Sequence, residues 1–503
     1  MLYSIYRKSE KLILVKMRWY TFLLISILTT RSISAEIYPK FPKDFIFGVS
    51  TSAYQIEGAW NVSGKSENIW DHVTHNYPSV IEDRSNADVA CDAYHNIDND
   101  VRLIRELGVD SYRFSISWSR ILPDGFSNNL NPDGVRYYNE LIDKLLANNI
   151  QPFITLFHGD LPNCLQLLGG FTNIKVADYF VSYARLMFDT FGDRVKYWTT
   201  FNEPKNFCAR AVWGNSEQLT VAENISPYLC VYTVLIAHAK AYEVYKNEFA
   251  HQNGKLGIVL DLLWAEPKTN STKDIEAANR IIEFEFGIYA NPIFSKEGDF
   301  PTIVKDRVAN MSKAQGFEES RLPALTKDEI NLIRSSADFL AINHYSTRLI
   351  SDDSDNINIS ISSQANDVAV ISSVDPSWPT SEMEWLFYVP WGFHKNLMYI
   401  KNKYDNPSVY ITENGFCEKA SNDQGRIKYL QGYLQVLSDA ISEGCNILGY
   451  FQWSLMDNFE WFAGYTKKFG LYEVNFTDPK RPRKPRASVK WYKDFLLNAK
   501  SNV

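Results

Sequence analysis

Short apolar segments alternate with amphipathic segments along the chain after residue 36. The apolar segments predict eight strands: Phe45–Ser52, Ser111–Trp118, Pro152–His158, Val195–Asn202, Leu256–Trp264, Phe339–Tyr345, Ser408–Thr412 and Ile447–Trp453. The amphipathic segments between several of them predict helices, for example Asp98–Leu107, Tyr137–Asn148, Asn173–Phe191 and Gly425–Ser442. Strands that alternate with helices in this way predict a single α/β domain, a parallel (β/α)8 TIM barrel. The intervals 270–330 and 350–390 are predicted to be long loop insertions between a strand and the next helix.

Polar and ionisable residues cluster where the predicted strands end. They are Gln55, Glu57, Arg113, His158, Asp160, Asn202, Glu203, Asn343, Tyr345, Glu413, Asn414, Trp453, Glu460 and Trp461. A single residue of this kind is usually a loop cap, but a barrel with a purely structural role does not need one at nearly every strand end. Because the chemistry of such barrels lies at the carboxyl ends of the strands, the set predicts an active site on that rim.

Two of these strand ends have similar sequences, Thr200–Pro204 (TFNEP) and Ile411–Gly415 (ITENG). Each places a glutamate where an apolar strand ends, on the fourth and the seventh predicted strand. Two opposed carboxyl groups without metal ligands are typical of glycoside hydrolysis, in which one protonates the leaving oxygen and the other attacks the anomeric carbon. If the reaction retains configuration, the carboxyl groups of Glu203 and Glu413 should lie about 5–5.5 Å apart.

The composition is that of a folded globular protein, with 45% hydrophobic and 22% charged residues among 503. Aromatic residues make up 14%, which suits sugar binding because their faces stack on pyranose rings. The net charge of −7 argues against a nucleic-acid partner, which requires a basic surface. No His/Cys cluster has metal-ligand spacing, so neither a metal nor another cofactor is predicted, and the expected partner is a small glycoside.

The N-terminus has the layout of a secretory signal peptide over residues 1–35. Basic residues precede the apolar run Trp19–Leu28, and Ser34 and Ala35 are small residues suited to cleavage; Met17 is an alternative start. A membrane anchor is the weaker alternative, because a bilayer requires about 20 apolar residues. Secretion agrees with six glycosylation sequons, at Asn61, Asn224, Asn270, Asn310, Asn358 and Asn475. The six cysteines allow 15 complete disulfide pairings, and the sequence does not choose between them.

Five motifs resemble glycoside hydrolase family 1, the β-glucosidase family, across residues 38–495. They are Phe45–Gly58 (FIFGVSTSAYQIEG), Tyr112–Arg120 (YRFSISWSR), TFNEP, ITENG and Tyr450–Trp461 (YFQWSLMDNFEW). The insect-type members are the most similar, through Ser320–Thr326 (SRLPALT) and Asn343–Leu349 (NHYSTRL). The resemblance implies that residues 36–503 form the catalytic barrel. It also implies that Glu203 is the general acid/base and Glu413 the nucleophile, with Arg113 and Tyr345 holding Glu413 ionised. The sugar-binding residues that it implies are Gln55, His158, Asn202, Asn343, Trp453, Glu460, Trp461 and Phe469.

The chain departs from the family pattern around the expected pocket mouth. Gly159 stands where family members usually have tryptophan, in His-Gly-Asp-Leu-Pro, and this change leaves a gap beside the sugar. The segment Lys205–Trp213 replaces the usual glycine-rich stretch after the acid/base, and His394 stands where arginine is common. Substrate choice is therefore the least determined property.

Three functions remain open from the sequence. A secreted retaining β-glucosidase is favoured, and an insect-type thioglucosidase (myrosinase) that cleaves glucosinolates is the nearest alternative. Candidate aglycone residues are Lys205, Arg210, Arg348 and Trp378. The three cations are candidates to bind the sulfate of a glucosinolate, and solvated surface charges are the favoured alternative. A catalytically impaired carbohydrate-binding relative is the third, supported only by Gly159 and the altered segment after Glu203. The aglycone, the ranking of sugars and the oligomeric state are not determined by the sequence.

Overall fold

A computed structural model describes residues 38–210 and 224–501 of the chain. Eight parallel strands close into a barrel in which each strand pairs with its neighbours in chain order and the last pairs with the first. They are β1 (Ile46–Ser50), β2 (Ser111–Ser115), β3 (Gln151–Phe157), β4 (Tyr197–Asn202), β5 (Lys255–Asp261), β6 (Phe339–Asn343), β7 (Val409–Asn414) and β8 (Ile447–Trp453). The predicted (β/α)8 barrel is confirmed.

Helices follow the strands around the barrel. Those of eight residues or more in the described ranges are Ile69–Asn76, Ile97–Leu107, Pro132–Ala147, Lys175–Phe191, Ser226–Glu248, Thr272–Ile282, Thr302–Ala314, Pro390–Lys403, Gln424–Ser442 and Ala487–Ser501. Their buried faces are apolar, as in Lys175–Phe191, where Phe180, Met187 and Phe188 are fully buried. This burial of one face is the main source of helix stability in a globular protein.

The predicted helices are present, but one begins earlier than expected. The helix predicted from Tyr137 starts at Pro132, because Asn131 caps it by accepting a hydrogen bond from the Asp133 amide and proline suits the first helical position. The prediction of a long loop over residues 270–330 was wrong in its detail. That interval is mostly helical, including Thr272–Ile282 and Thr302–Ala314, whereas Thr347–Asp352 and Val370–Ser373 form a small sheet with Trp264–Pro267 around the second insertion.

Buried side chains from five strands fill the inside of the barrel. Phe153, Val259, Phe339, Tyr410 and Phe451 pack together, and the Phe153 ring lies 5.0 to 5.7 Å from the other three rings. The barrel is therefore a packed core and not a pore, so a ligand can enter only at the ends of the strands.

The strand pairing is irregular in the two strands that carry the predicted catalytic glutamates. The register of β4 on β5 shifts between Thr199 and Asn202, and that of β7 on β6 shifts between Ile411 and Glu413. Bulges of this kind bend a strand locally and redirect its side chains, and they are common beside active sites.

A disulfide joins Cys208 to Cys230 and so ties the short helix Pro204–Cys208 to the helix Ser226–Glu248. Cys91, Cys164, Cys417 and Cys445 are free thiols. The predicted signal peptide lies outside the described residues. Within the described ranges, no helix has the length and apolar character needed to cross a membrane.

Candidate active site

A cavity of about 580 Å³ opens at the carboxyl ends of the barrel strands. Its size is typical of a small-molecule site. Ten of the twelve predicted catalytic and sugar-binding residues line it: His158, Asn202, Glu203, Asn343, Tyr345, Glu413, Trp453, Glu460, Trp461 and Phe469. The structure thus brings both glutamates and most of the predicted sugar-binding residues to one site.

Glu413, at the end of β7, is buried and held by two strong donors. The Arg113 guanidinium donates to its Oε1 at 2.7 Å, and the Tyr345 hydroxyl donates to its Oε2 at 2.7 Å. Burial raises the pKa of Glu413, whereas the Arg113 charge and the bonds from Arg113 and Tyr345 act against that rise. Each carboxylate oxygen has a partner that favours the ionised form, which is the form a nucleophile requires.

Glu203 follows β4 directly, in a left-handed backbone conformation with φ of 49°. Such a conformation is strained for a residue other than glycine, and it is found mainly at functional positions. Glu203 receives hydrogen bonds from the amide groups of Asn343, at 2.6 Å, and Asn206, at 2.5 Å. Burial, together with the nearby charges of Asp261 and Glu413, raises its pKa to about 8. A raised pKa favours the protonated form at neutral pH, which is the form that a general acid requires.

Two asparagines connect the surroundings of the glutamates. Asn202 accepts hydrogen bonds through Oδ1 from Arg113 at 2.6 Å and from Asn343 at 3.1 Å. Asn343 lies opposite Glu413 in the register of β6 with β7, and it donates to Glu203. A network of direct bonds therefore spans the site from Arg113 to Glu203 and fixes the strand ends relative to one another.

Aromatic rings and a second acid line the predicted sugar side of the cavity. The His158 ring stacks between Trp453 and Trp461, with centroids 6.1 and 5.9 Å away. Burial and the charge of Glu413 raise the pKa of Glu460 to about 8. Gln55, in contrast, is fully buried outside the cavity lining and donates to the carbonyl of Phe459. It supports the segment that carries Glu460.

Gly159 lines the cavity beside His158. Its φ is +78°, and a Cβ built on it would meet no atom within 4 Å. The gap predicted from the sequence is therefore present, since no neighbouring side chain fills it. The positive φ adds a second property that the sequence did not reveal: any side chain at this position carries a backbone cost.

The four candidate aglycone residues separate into two pairs. Lys205 and Arg210 line the cavity, whereas Arg348 and Trp378 do not. Arg348 donates to the carbonyl of Trp385, and Trp378 packs near Phe387 and Trp391. The cavity lining thus gives no support to these two as aglycone contacts.

His394 and the segment Lys205–Trp213 were also expected at the pocket mouth, and the structure places only part of this set there. His394 lies outside the cavity lining, with its Nε2 3.0 Å from Glu443. In the segment Lys205–Trp213, residues 211–213 lie outside the described residues. The altered pocket wall is therefore represented by Lys205, Phe207 and Arg210, which all line the cavity.

Sequence reasoning missed three polar residues on the side of the cavity around Glu203. Asn206 is in direct contact with Glu203, Asp261 lies at the end of β5, and Glu285 lies near Asp261. Lys205 forms ion pairs with Asp261 and, at 3.2 Å, with Glu285. Asp261 could have been found, because it is the acidic residue at the end of the fifth strand. Glu285 could not, since it comes from the insertion that was predicted to be a loop.

Five of the six sequon asparagines are exposed, and Asn224 is partly exposed. Glycosylation at the exposed sequons stays a prediction.

The described residues contain no group of three or more His, Cys, Asp or Glu side chains that could hold a metal ion.

A barrel whose strand ends bring together an ion-paired carboxylate and a carboxyl group of raised pKa in one aromatic-lined cavity is typical of a glycoside hydrolase. Residues 37–501 match Glycosyl hydrolase family 1, and the chain belongs to this family. Myrosinase 1 of Brevicoryne brassicae is 46% identical over 473 residues, which are 92% of this chain and 99% of that protein.

Solved structures give the same result. An aphid myrosinase has a TM-score of 0.86 and 45% identity, covering 91% of this chain and 99% of that one. A rice β-glucosidase mutant, solved in a covalent complex with Glc, has a TM-score of 0.84 and 39% identity, covering 90% of this chain and 98% of that one. The resemblance found in the sequence motifs is confirmed, including the likeness to insect members.

Proposed function

We propose that the protein is a secreted β-glucosidase that hydrolyses small β-glucosides with retention of configuration. The observation that carries the proposal is the contrast between the two cavity glutamates. Glu413 has a cation and a hydroxyl donor on its carboxylate oxygens, whereas Glu203 has a pKa raised to about 8. One is prepared to attack and the other to donate a proton.

In the first step the Glu413 carboxylate attacks the anomeric carbon, and the bond from that carbon to the aglycone oxygen breaks. The proton of Glu203 passes to the departing oxygen, so that the aglycone leaves as an alcohol or phenol. Arg113 and Tyr345 hold the attacking oxygens in place through their 2.7 Å bonds. The product is a glycosyl ester on Glu413 and an ionised Glu203.

In the second step water attacks the anomeric carbon, and Glu203 accepts its proton. The ester bond to Glu413 breaks, which restores its carboxylate and the protonated Glu203. Once Glu413 is a neutral ester, one of the charges that raises the pKa of Glu203 is gone. The loss of this charge favours the ionised, basic form of Glu203 when the reaction needs a base.

A glucose ring is the glycone supported by the relatives, since the similar rice enzyme holds Glc covalently. A neutral aglycone is supported by the charges near Glu203. Lys205 is engaged by Asp261 and Glu285, so it brings no free positive charge to the cavity. The aromatic residues Trp70, Phe207, Trp385 and Phe462 line the cavity and suit an aromatic aglycone.

Hydrolysis of a glucosinolate is the second candidate. The likeness to the aphid myrosinase favours it, and so does Arg210, which lines the cavity and lies 5.0 Å above the Phe462 ring. Among the described residues, Arg210 forms no ion pair with a carboxylate, so its charge is available to an anionic aglycone.

Secretion through the N-terminal signal is part of the proposal and is tested by recovery of the cleaved chain outside producing cells.

The deciding experiment measures kcat/KM of the purified protein for an aryl β-glucoside, cellobiose and a glucosinolate in parallel. The proposal predicts the highest value for the aryl glucoside, and NMR should show β-glucose as the first product. A glucosinolate preferred over the aryl glucoside would establish the second candidate. Sugar binding without turnover of any activated glycoside would refute both.

A further inference from the structure

Three charged residues outside the proposed chemical steps form a cluster next to Glu203. Lys205 lies two residues after Glu203, on the short helix Pro204–Cys208. Its ammonium contacts the Asp261 carboxylate, and it lies 3.2 Å from Glu285 Oε2. Lys205 and Asp261 line the same cavity as Glu203. With two carboxylates and one ammonium, this cluster has a net negative charge.

The backbone fixes this arrangement. The Glu203 amide donates to the Val259 carbonyl at 3.0 Å, and Asn202 lies opposite Val259 in the pairing of β4 with β5. Asp261 is two residues further along β5, at the strand end. Glu203 and Asp261 are therefore adjacent strand-end carboxyl groups, and only one of them contacts the Lys205 ammonium.

We propose that Asp261 is a positioning residue that keeps the proton on Glu203, and that Lys205 and Glu285 hold the Asp261 carboxylate in place for this role. Two neighbouring carboxyl groups do not ionise equally when only one of them contacts an ammonium. The one in contact with the ammonium keeps the negative charge, and that charge makes ionisation of the other unfavourable. The inference rests on the proposed function, since it assumes that Glu203 is the acid/base.

The other groups that face Glu203 do not replace this effect. Glu413, on β7, also disfavours ionisation of Glu203, but its charge is offset by Arg113 and disappears when the glycosyl ester forms. Tyr345 is neutral, because burial raises its pKa well above the usual value. Asn343 and Asn206 donate hydrogen bonds that favour the ionised form. Asp261 is thus the negative neighbour that persists through both steps.

The test is the pH dependence of kcat/KM in three full-length variants. Asp261→Asn removes the persistent negative charge and keeps the shape of the side chain. The basic limb of the kcat/KM profile, where the rate falls as the pH rises, should therefore move to lower pH by about one unit. Lys205→Met removes the ammonium, so the basic limb should move up, and the plateau should fall because Asp261 then competes for the proton. Lys205→Arg keeps the charge and should leave the basic limb in place. Glu266→Gln is the matched control. This substitution also removes one carboxylate that pairs with a lysine, here Lys395, but it does so outside the cavity lining, so the profile should not change.

Substrates with two leaving groups separate this role from a structural one. For Asp261→Asn above pH 7, a poor phenol leaving group should be slowed about tenfold more than a dinitrophenol, which leaves without a proton. The inference is overturned if Asp261→Asn leaves the basic limb unmoved, or if both Asp261→Asn and Lys205→Met move it in the same direction. An unmodified protein that cleaves no aryl glycoside would instead refute the proposed function.

Discussion

Glu203 and Glu413 occupy equivalent positions in the sequence and opposite environments in the structure. Glu203 directly follows β4 and Glu413 lies near the end of β7, and both strands have an irregular register at the rim of one cavity. Glu413 contacts a guanidinium and a phenol, whereas Glu203 contacts two neutral amides and lies near Asp261. The difference between them lies in residues far away in the sequence.

This contrast shows how one barrel can hold both an acid and a nucleophile of the same residue type. A carboxyl group with cationic and hydroxyl donors stays ionised, and one with negative neighbours keeps its proton. In the proposed mechanism the two roles depend on Arg113 on β2 and on Asp261 on β5, so each role should change when a neighbour or the glutamate itself is changed.

The largest effect is expected from Glu413→Ala. Removal of the nucleophile prevents the glycosyl ester from forming, and kcat for an aryl β-glucoside should fall by at least about 10⁴-fold. Azide can then occupy the vacant space and attack the anomeric carbon directly, which gives an α-glucosyl azide. The product is identified by NMR, and a β-glucosyl azide from this variant would mean that the two roles are reversed.

The second effect distinguishes Glu203 from Glu413 by its dependence on the leaving group. Glu203→Ala should slow a poor phenol leaving group by about 10²–10⁴-fold and should affect the first step with dinitrophenol far less. Azide should restore turnover and yield a β-glucosyl azide, because it attacks the glycosyl ester without needing a base. An equal loss for both leaving groups would contradict an acid role for Glu203.

The third prediction concerns pH. Glu203 is active as an acid while protonated, and its pKa is raised to about 8, so kcat/KM should be retained at pH 7. Above that pKa the rate should fall by about tenfold for each pH unit, since the acid form is lost in proportion. A basic limb near pH 5 would show that the negative neighbours do not act on Glu203 in solution.

The fold was largely predictable from the sequence because burial imposes a simple pattern on each strand. All eight predicted strands are present, and β2, β6 and β8 begin at the predicted residues. The ends were less predictable, because strand ends depend on pairing with neighbours and on bulges. The insertion over residues 270–330 was predicted to be loop although it is mostly helical, and the amphipathic pattern of Thr272–Ile282, with Ala277, Ala278 and Ile282 buried, was a signal that the prediction overlooked.

The candidate site was predictable where its residues lie on barrel strands, as with Glu203, Asn343 and Glu413. Gln55 was expected to touch the sugar, but it lies outside the cavity lining and supports Phe459 instead. Lys205 was considered as a binding group for an anion, whereas Asp261 and Glu285 already engage it. Such pairings join residues distant in the chain, and sequence order does not reveal them.

The smallest effects are expected at Gly159, which follows β3 next to the strand of Glu203, and they test the wall on that side of the cavity. The φ of +78° makes any side chain unfavourable, although a Cβ there meets no atom within 4 Å. Gly159→Ala should therefore lower the free energy of unfolding by about 1 kcal/mol, measured by denaturant titration, and leave kinetics nearly unchanged.

Gly159→Trp should carry the same backbone cost and also fill the gap, so the alanine variant is its matched control. The indole adds an apolar face and one donor, and a well-placed group of this kind changes kcat/KM by roughly tenfold. We expect the ratio of kcat/KM for a simple aryl glucoside to that for a substrate with a bulkier glycone to rise by about this factor, because the indole closes the space that the bulkier glycone needs. Kinetics equal to those of Gly159→Ala on every substrate would show that position 159 does not line the sugar site. In that case the assignment of His158 to the sugar site would also be wrong, because the two residues share one strand end.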